Sequence, residues 1–339
     1  MQQATCQPIL HSTLEHRALK HFKTRNPMCI WSPPGCGKTD HIRQIAADAG
    51  YDVIDWRLAQ MDAADVRGIP YRGEDGRTHY APPASLPADD CGPTLLFLDE
   101  IMQAHPSVSA VAGQLIHERR LGDYHLPDNV VVFAASNRHF DRAAATRMAA
   151  HTANRFSHYE LEIRPTEWCD WATVNRVDDR IIGFIRWRPE LVYQYDPKEM
   201  EPAYPSLRSW TNLSALIDGE DDASIIHSFA CATVGRATGA EFTGYVKALR
   251  KLPDLDEIIA DPDSYDDPQE PDLRNGVTAG LARRADENNI ESIWRYMIKL
   301  ADDWQVLFAK DVMALGYFDL TQTEVYNEIV SLHAEALTT

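Results

Sequence analysis

Positive charge is scarce in this chain. Its 33 Lys and Arg stand against 51 Asp and Glu, giving a formal net charge of −18 at pH 7. Such a balance disfavours broad, non-specific attraction to nucleic acid or to an anionic membrane, since both need basic surface. The pair Arg119-Arg120 is a local basic patch, and fits a solvated turn. The six cysteines (Cys6, Cys29, Cys36, Cys91, Cys169, Cys231) are scattered, with no C-x-x-C and no zinc-like pairing with histidine. That spacing fits reduced thiols in a cytosol better than a disulfide framework. Residues 1–9 lack the cationic start and apolar run of a signal peptide. No stretch approaches about 18 uninterrupted apolar residues. A soluble, cytoplasmic protein without a membrane segment is the expectation. Internal repeats, heptads and low-complexity tracts are absent too, and Gly and Pro are too few to suggest disorder. With 44% apolar residues in 339, the chain can build two domains, or one large domain with a lid.

The most informative segment is Ser32-Pro-Pro-Gly-Cys-Gly-Lys-Thr39. It is one residue short of G-x-x-x-x-G-K-[ST], a turn whose backbone N–H groups wrap phosphates while its lysine reaches the outer ones and its hydroxyl meets Mg²⁺. Ser32 stands where the template has its first glycine. Apolar residues 28–31 predict a short strand before the loop, and 39–49 a helix ending at Gly50, so phosphates would meet a helix N-terminus. The phosphate-binding set is Pro34, Gly35, Cys36, Gly37, Lys38, Thr39 and Asp40. Cys36 inside it is either a small residue that fits or a thiol whose oxidation blocks nucleotide.

Further strands are predicted at 51–58, 94–98 and 130–135, with a helix at 107–119 and a hairpin turn at Gly73-Glu-Asp-Gly76. Alternating strands and helices argue for a parallel α/β sheet with ligands at the strands' C-terminal ends. Two acidic residues, Asp99 and Glu100, end the apolar run at 94–98. Asp99 there suits Mg²⁺ and Glu100 an attacking water. Asn137, past the run at 130–135, suits the same water as a neutral hydrogen-bonding group. Beyond Pro165 strand signals fade. Residues 289–308 keep an apolar stripe at helical spacing, expected to be core packing, and the Asp- and Pro-dense stretch 253–275 predicts an exposed connector.

The chain resembles the AAA+ ATPases, and within them the MoxR-like branch. The resemblance is carried by Trp31 to Thr39, Asp65-Val-Arg-Gly-Ile-Pro70, Leu96-Phe-Leu-Asp-Glu-Ile101, Ala134-Ala-Ser-Asn-Arg138, Asn154-Arg-Phe156 and Pro205-Ser-Leu-Arg-Ser-Trp210. It covers about residues 28–210, and is weaker around 234–242. By this similarity Lys38 and Thr39 are Walker A residues, Asp99 and Glu100 Walker B, Asn137 sensor 1, Arg155 the arginine finger and Arg208 the sensor 2 arginine. Arg155 also reads as a surface residue before a core phenylalanine, with Arg138 and Arg147 as rivals for the finger. The resemblance implies a P-loop α/β core over residues 1–165 and a C-terminal α-helical lid over 166–339. It further implies ATP and Mg²⁺ as cofactors, hydrolysis in a homo-oligomeric ring (a hexamer), chaperone-like remodelling of a protein client, and a von Willebrand factor A-domain partner. Residues 68–82 and 119–127, with Tyr71, Tyr80 and Tyr124, match two family segments that face the ring pore; ordinary surface loops are the alternative. Competing functions are a nucleotide-gated scaffold with little turnover and a DNA-acting motor, the latter opposed by the acidic balance.

Overall fold

A computed structural model describes residues 7–138, 148–198, 201–250 and 254–337. Cys6 and Arg147 lie outside the described residues. The chain divides into two compact units, one of residues 1–163 with 196–199, the other of 164–195 with 200–339.

The first unit runs β1 (Gln7–Leu10), α1 (His11–Thr24), β2 (Met28–Ser32), α2 (Lys38–Asp48), β3 (Asp52–Arg57), α3 (Ala63–Arg67), β4 (Ile69–Arg72), β5 (Thr78–Ala81), β6 (Thr94–Asp99), α4 (Pro106–Glu118), β7 (Arg120–Leu121), β8 (Tyr124–His125), β9 (Val130–Asn137), α5 (Ala150–Ala153) and β10 (Ser157–Glu162). Six of these strands form one parallel sheet in the order β1-β10-β2-β9-β6-β3. Every residue of β2, β6 and β9 is buried, which is why their sequences are continuous apolar runs instead of alternating ones. Side chains still alternate between faces. Leu95, Phe97, Val131 and Phe133 join Leu14, Phe22, Ile42 and Ile45 of α1 and α2. Their neighbours Leu96, Leu98, Val130 and Val132 join Val66 of α3 and Val111 and Leu115 of α4. The sheet is thus covered on both faces in its centre, while the edge strand β3 keeps one buried residue.

In the second unit every regular element among the described residues is helical: Pro165–Val174, Asp179–Trp187, Leu207–Leu216, Ala223–Val234, Arg236–Leu249, Leu255–Ala260, Pro271–Arg284, Ile290–Met297, Asp302–Leu315 and Glu324–Leu337, with short 3₁₀ turns. The apolar stripe at 289–308 belongs to two helices, not one. Gln305 Nε2 donates to Leu300 O (2.7 Å), and the N–H of Trp304 turns to Ala301 O (2.9 Å). Asp302 and Asp303 then suit the first turn of a new helix. Nor is 253–275 merely a connector. Asp254 caps the helix at Leu255–Ala260 by accepting from the Asp256 N–H, and Pro262 and Pro271 start their helices instead of breaking them. Ile258 of that stretch is fully buried in the core.

A buried ion pair lies within this unit. Arg186 donates to both carboxylate oxygens of Asp311 at 2.6 Å, with both side chains under a tenth exposed. Asp311→Ala strands the guanidinium in the interior. It is expected to destabilise the unit by about 3–5 kcal/mol, measurable as a drop in the urea midpoint. A loss below about 1 kcal/mol would show that the pair is solvated and unimportant.

No helix among the described residues is long and apolar enough to cross a membrane.

Candidate functional site

The loop after β2 turns on two glycines in the left-handed region, Gly35 (φ 77°) and Gly37 (φ 78°). A Cβ built on Gly37 would meet nothing within 4 Å, so glycine is needed there for its backbone and not for space. Gly37 is the N-cap of α2 and no side chain caps that helix. Its first-turn N–H groups therefore have no side-chain acceptor, the arrangement that receives anions at helix starts. Pro34, Cys36 and Asp40 lie in this loop and first turn, with Cys36 buried.

Strand register brings the remaining groups to the same edge. β9 lies between β2 and β6, with Ser32 paired to Asn137. Lys38 Nζ donates to Asn137 Oδ1 at 2.9 Å. Thr39 Oγ1 donates to Asp99 Oδ2 at 2.8 Å, while the Glu100 N–H donates to Asp99 Oδ1 at 2.8 Å. Asp99 and Asn137 are both nearly buried, so these bonds are formed largely away from bulk water. Lys38, Thr39, Asp99 and Asn137 are one cluster, and Glu100 adjoins it along the chain.

Glu100 itself has φ 57°, a left-handed conformation that costs a non-glycine residue roughly 1–3 kcal/mol. The Ile101 N–H to Ala135 O bond (3.2 Å) and the Gln103 N–H to Glu100 O bond (2.8 Å) hold it there. Among the described residues its carboxylate makes no hydrogen bond or ion pair. Sequence reasoning misses this backbone geometry, because nothing in Asp-Glu-Ile marks a left-handed residue.

The arginines divide sharply. Arg155 follows α5, is exposed, and donates from Nη2 to His117 Nε2 at 2.7 Å. Arg138, one rival, is half-buried and pairs with the buried Glu160 at 3.4 Å. Arg208 belongs to the helical unit. It is the second residue of the helix Leu207–Leu216, exposed and unpaired among the described residues.

Two histidines that the sequence reading passes over join α1 to the loop helix. His11 and His41 face one another with Nδ1 atoms 3.2 Å apart and rings stacked at 5.4 Å. Burial, and behind it the neighbouring His41, pushes His11 down to about 4, so its ring is neutral near pH 7.

The two hairpins, β4–β5 and β7–β8, are clasped by His79. Its Nδ1 meets Asp123 at 2.7 Å and its Nε2 meets Asp75 at 3.1 Å. Two carboxylates on the two ring nitrogens favour the imidazolium, and Asp123 first, then Asp75, holds it above its ordinary range. Of the three tyrosines, Tyr71 is the open one at 52% exposure, beside Ile69 at 70%. Tyr124 donates to Pro87 O, and Tyr80 lies under the Arg67 guanidinium.

The oxygens of Thr39 and Asp99 are hard donors 2.8 Å apart. One hydroxyl and one carboxylate suit a Mg²⁺ ion that completes its shell with waters and phosphate oxygens. The helical unit has its own polar cleft of about 830 Å³, where burial pushes Asp179 up to about 7. Its arginines are already engaged: Arg180 by Asp178 and two carbonyls, Arg283 by Asp179, Arg284 by Asp256, and Arg176 over the Tyr317 ring.

Residues 28–156 match the family model described as "ATPase family associated with various cellular activities (AAA)". With the six-stranded parallel sheet, this match gives the α/β P-loop AAA+ fold, followed by a helical C-terminal region. Among curated proteins none matches the chain. Solved structures with remote similarity include the RuvB Holliday junction branch migration motor of Thermotoga maritima, 15% identical over 85% of this chain and 86% of that one, with a TM-score of 0.37. NtrX from Brucella abortus, in complex with ADP, is 13% identical over 97% of this chain and 68% of that one, with a TM-score of 0.37. Similarities this distant assign no function.

Proposed function

We propose that the protein is a MoxR-like AAA+ ATPase that binds ATP with Mg²⁺, hydrolyses it in a homo-oligomeric ring, and uses the cycle to remodel a protein client. The observation that supports this most is the cluster Lys38–Asn137 and Thr39–Asp99, with the free Glu100 carboxylate next in the chain. Loop N–H groups and Lys38 would bind the phosphates, and Thr39 and Asp99 would hold Mg²⁺. Held by Thr39 and Asp99, Mg²⁺ would supply positive charge beside the phosphate oxygens. Glu100 would accept the proton of the attacking water, whose oxygen bonds to the terminal phosphorus as the bridging P–O bond to ADP breaks. Asn137 would hold that water in line. Arg155, presented to the neighbouring subunit, and Arg208, from the helical region at 166–339, would spread donors over the phosphate oxygens. Residues 1–165 would serve as the ATPase core. The exposed Ile69 and Tyr71 would face the client, and a von Willebrand factor A-domain protein is the partner class this reading implies.

Lys38→Ala tests the phosphate loop. Removing a cation that makes charge-assisted bonds to phosphate is expected to weaken ATP binding by about a hundredfold, read by calorimetry. Tight ATP binding by that variant removes the basis of the assignment.

A further inference from the structure

We propose that Ser32 and Cys36 form a strut across the phosphate loop, and that Ser32 is a positioning residue for nucleotide binding. The proposal rests on the phosphate-loop reading above. Cys36 Sγ donates to Ser32 Oγ at 2.8 Å, and the Ser32 hydroxyl donates in turn to Pro33 O at 3.2 Å. Both side chains are buried, so water does not compete for either bond.

The ends of the strut differ in rigidity. Ser32 closes β2, a strand paired on both sides, by β10 and by β9, with Ser32 itself in register with Asn137. Cys36 sits between Gly35 and Gly37, both left-handed and without side chains to anchor them. Glycines of this kind have the largest conformational freedom to lose. Across 35–37 the thiol of Cys36 is therefore the side-chain tie that fixes the turn to the sheet. The phosphate-binding template has glycine at position 32, which offers no acceptor for that thiol. The serine thus adds a bond, and its effect is to limit the loop before nucleotide arrives. Ordering that is already complete need not be supplied on binding, so affinity rises.

The experiment measures ATP dissociation constants and turnover for Ser32→Ala, Cys36→Ala, their combination, and Cys36→Ser. Each alanine variant is expected to bind ATP about three- to tenfold more weakly, the range for one net hydrogen bond, read as the dissociation constant. The double variant is expected to be no worse than the weaker single, because both remove one interaction. Cys36→Ser, which restores an O–H donor, is expected to recover most of the affinity. Unchanged affinity in the singles, or additive losses in the double, overturns the strut. So does a lowered melting temperature of the nucleotide-free variants at unchanged affinity, since the bond would then be structural alone. Lys38→Ala, measured alongside, separates the two levels: if it keeps tight ATP binding, the phosphate-loop reading itself has failed.

Discussion

Arg155→Ala is expected to lower ATP turnover roughly a thousandfold or more while the isolated subunit binds ATP almost as before. The side chain is exposed, and its hydrogen bond goes to His117 and not to the loop that begins at Ser32. A guanidinium so placed is available to a second subunit, where it can stabilise charge that develops only as the phosphoryl group transfers. Arg138 is a poorer candidate because Glu160 already engages it within its own subunit. Mixing Arg155→Ala with Lys38→Ala gives the sharper readout. Interfaces that combine an intact loop with an intact arginine should regain part of the activity. No rescue on mixing, with a monomer in the presence of ATP, would end the ring model.

Glu100→Gln is expected to keep ATP bound and to reduce turnover by about two to four orders of magnitude, the usual worth of a general base. The substitution keeps size and hydrogen-bonding reach but removes the site that accepts a proton. Because the Glu100 backbone is held left-handed by its neighbours, the amide should occupy the carboxylate's place without moving Asp99. Single-turnover kinetics check this directly, with ATP retained and phosphate release slowed. Near wild-type turnover would assign the water to another group. It would also favour a chain whose nucleotide acts as a gate over one that consumes it.

For the three central strands, legibility follows burial. Strands β2, β6 and β9 are covered on both faces, so their apolar runs are legible in the sequence, and the loop at 33–37, Asp99 and Asn137 lie at the ends of those runs. β1, α1 and β10 were not assigned from sequence. β10 reads Ser-His-Tyr-Glu-Leu-Glu, and only two of its residues are buried, so its pairing with β2 supplies what its composition does not. At the break before Asp302 the Gln305 side chain takes the Leu300 carbonyl, which periodicity cannot register. The His79 clasp joins residues 44 apart, and the Ser32–Cys36 bond needs a loop closed on itself. Such contacts are products of the tertiary fold. Motif spacing shows which residue types are present, while their mutual bonds emerge only when strands are set side by side.

The buried Arg186–Asp311 pair has a consequence for descent. Losing either partner alone leaves a charge in the interior, whereas exchanging both for apolar side chains of similar volume is often neutral or stabilising. The two positions are 125 residues apart in sequence, yet a lineage can leave this state easily only by changing them together. Each residue is thereby a guardian of the other, and relatives of this chain should carry both or neither.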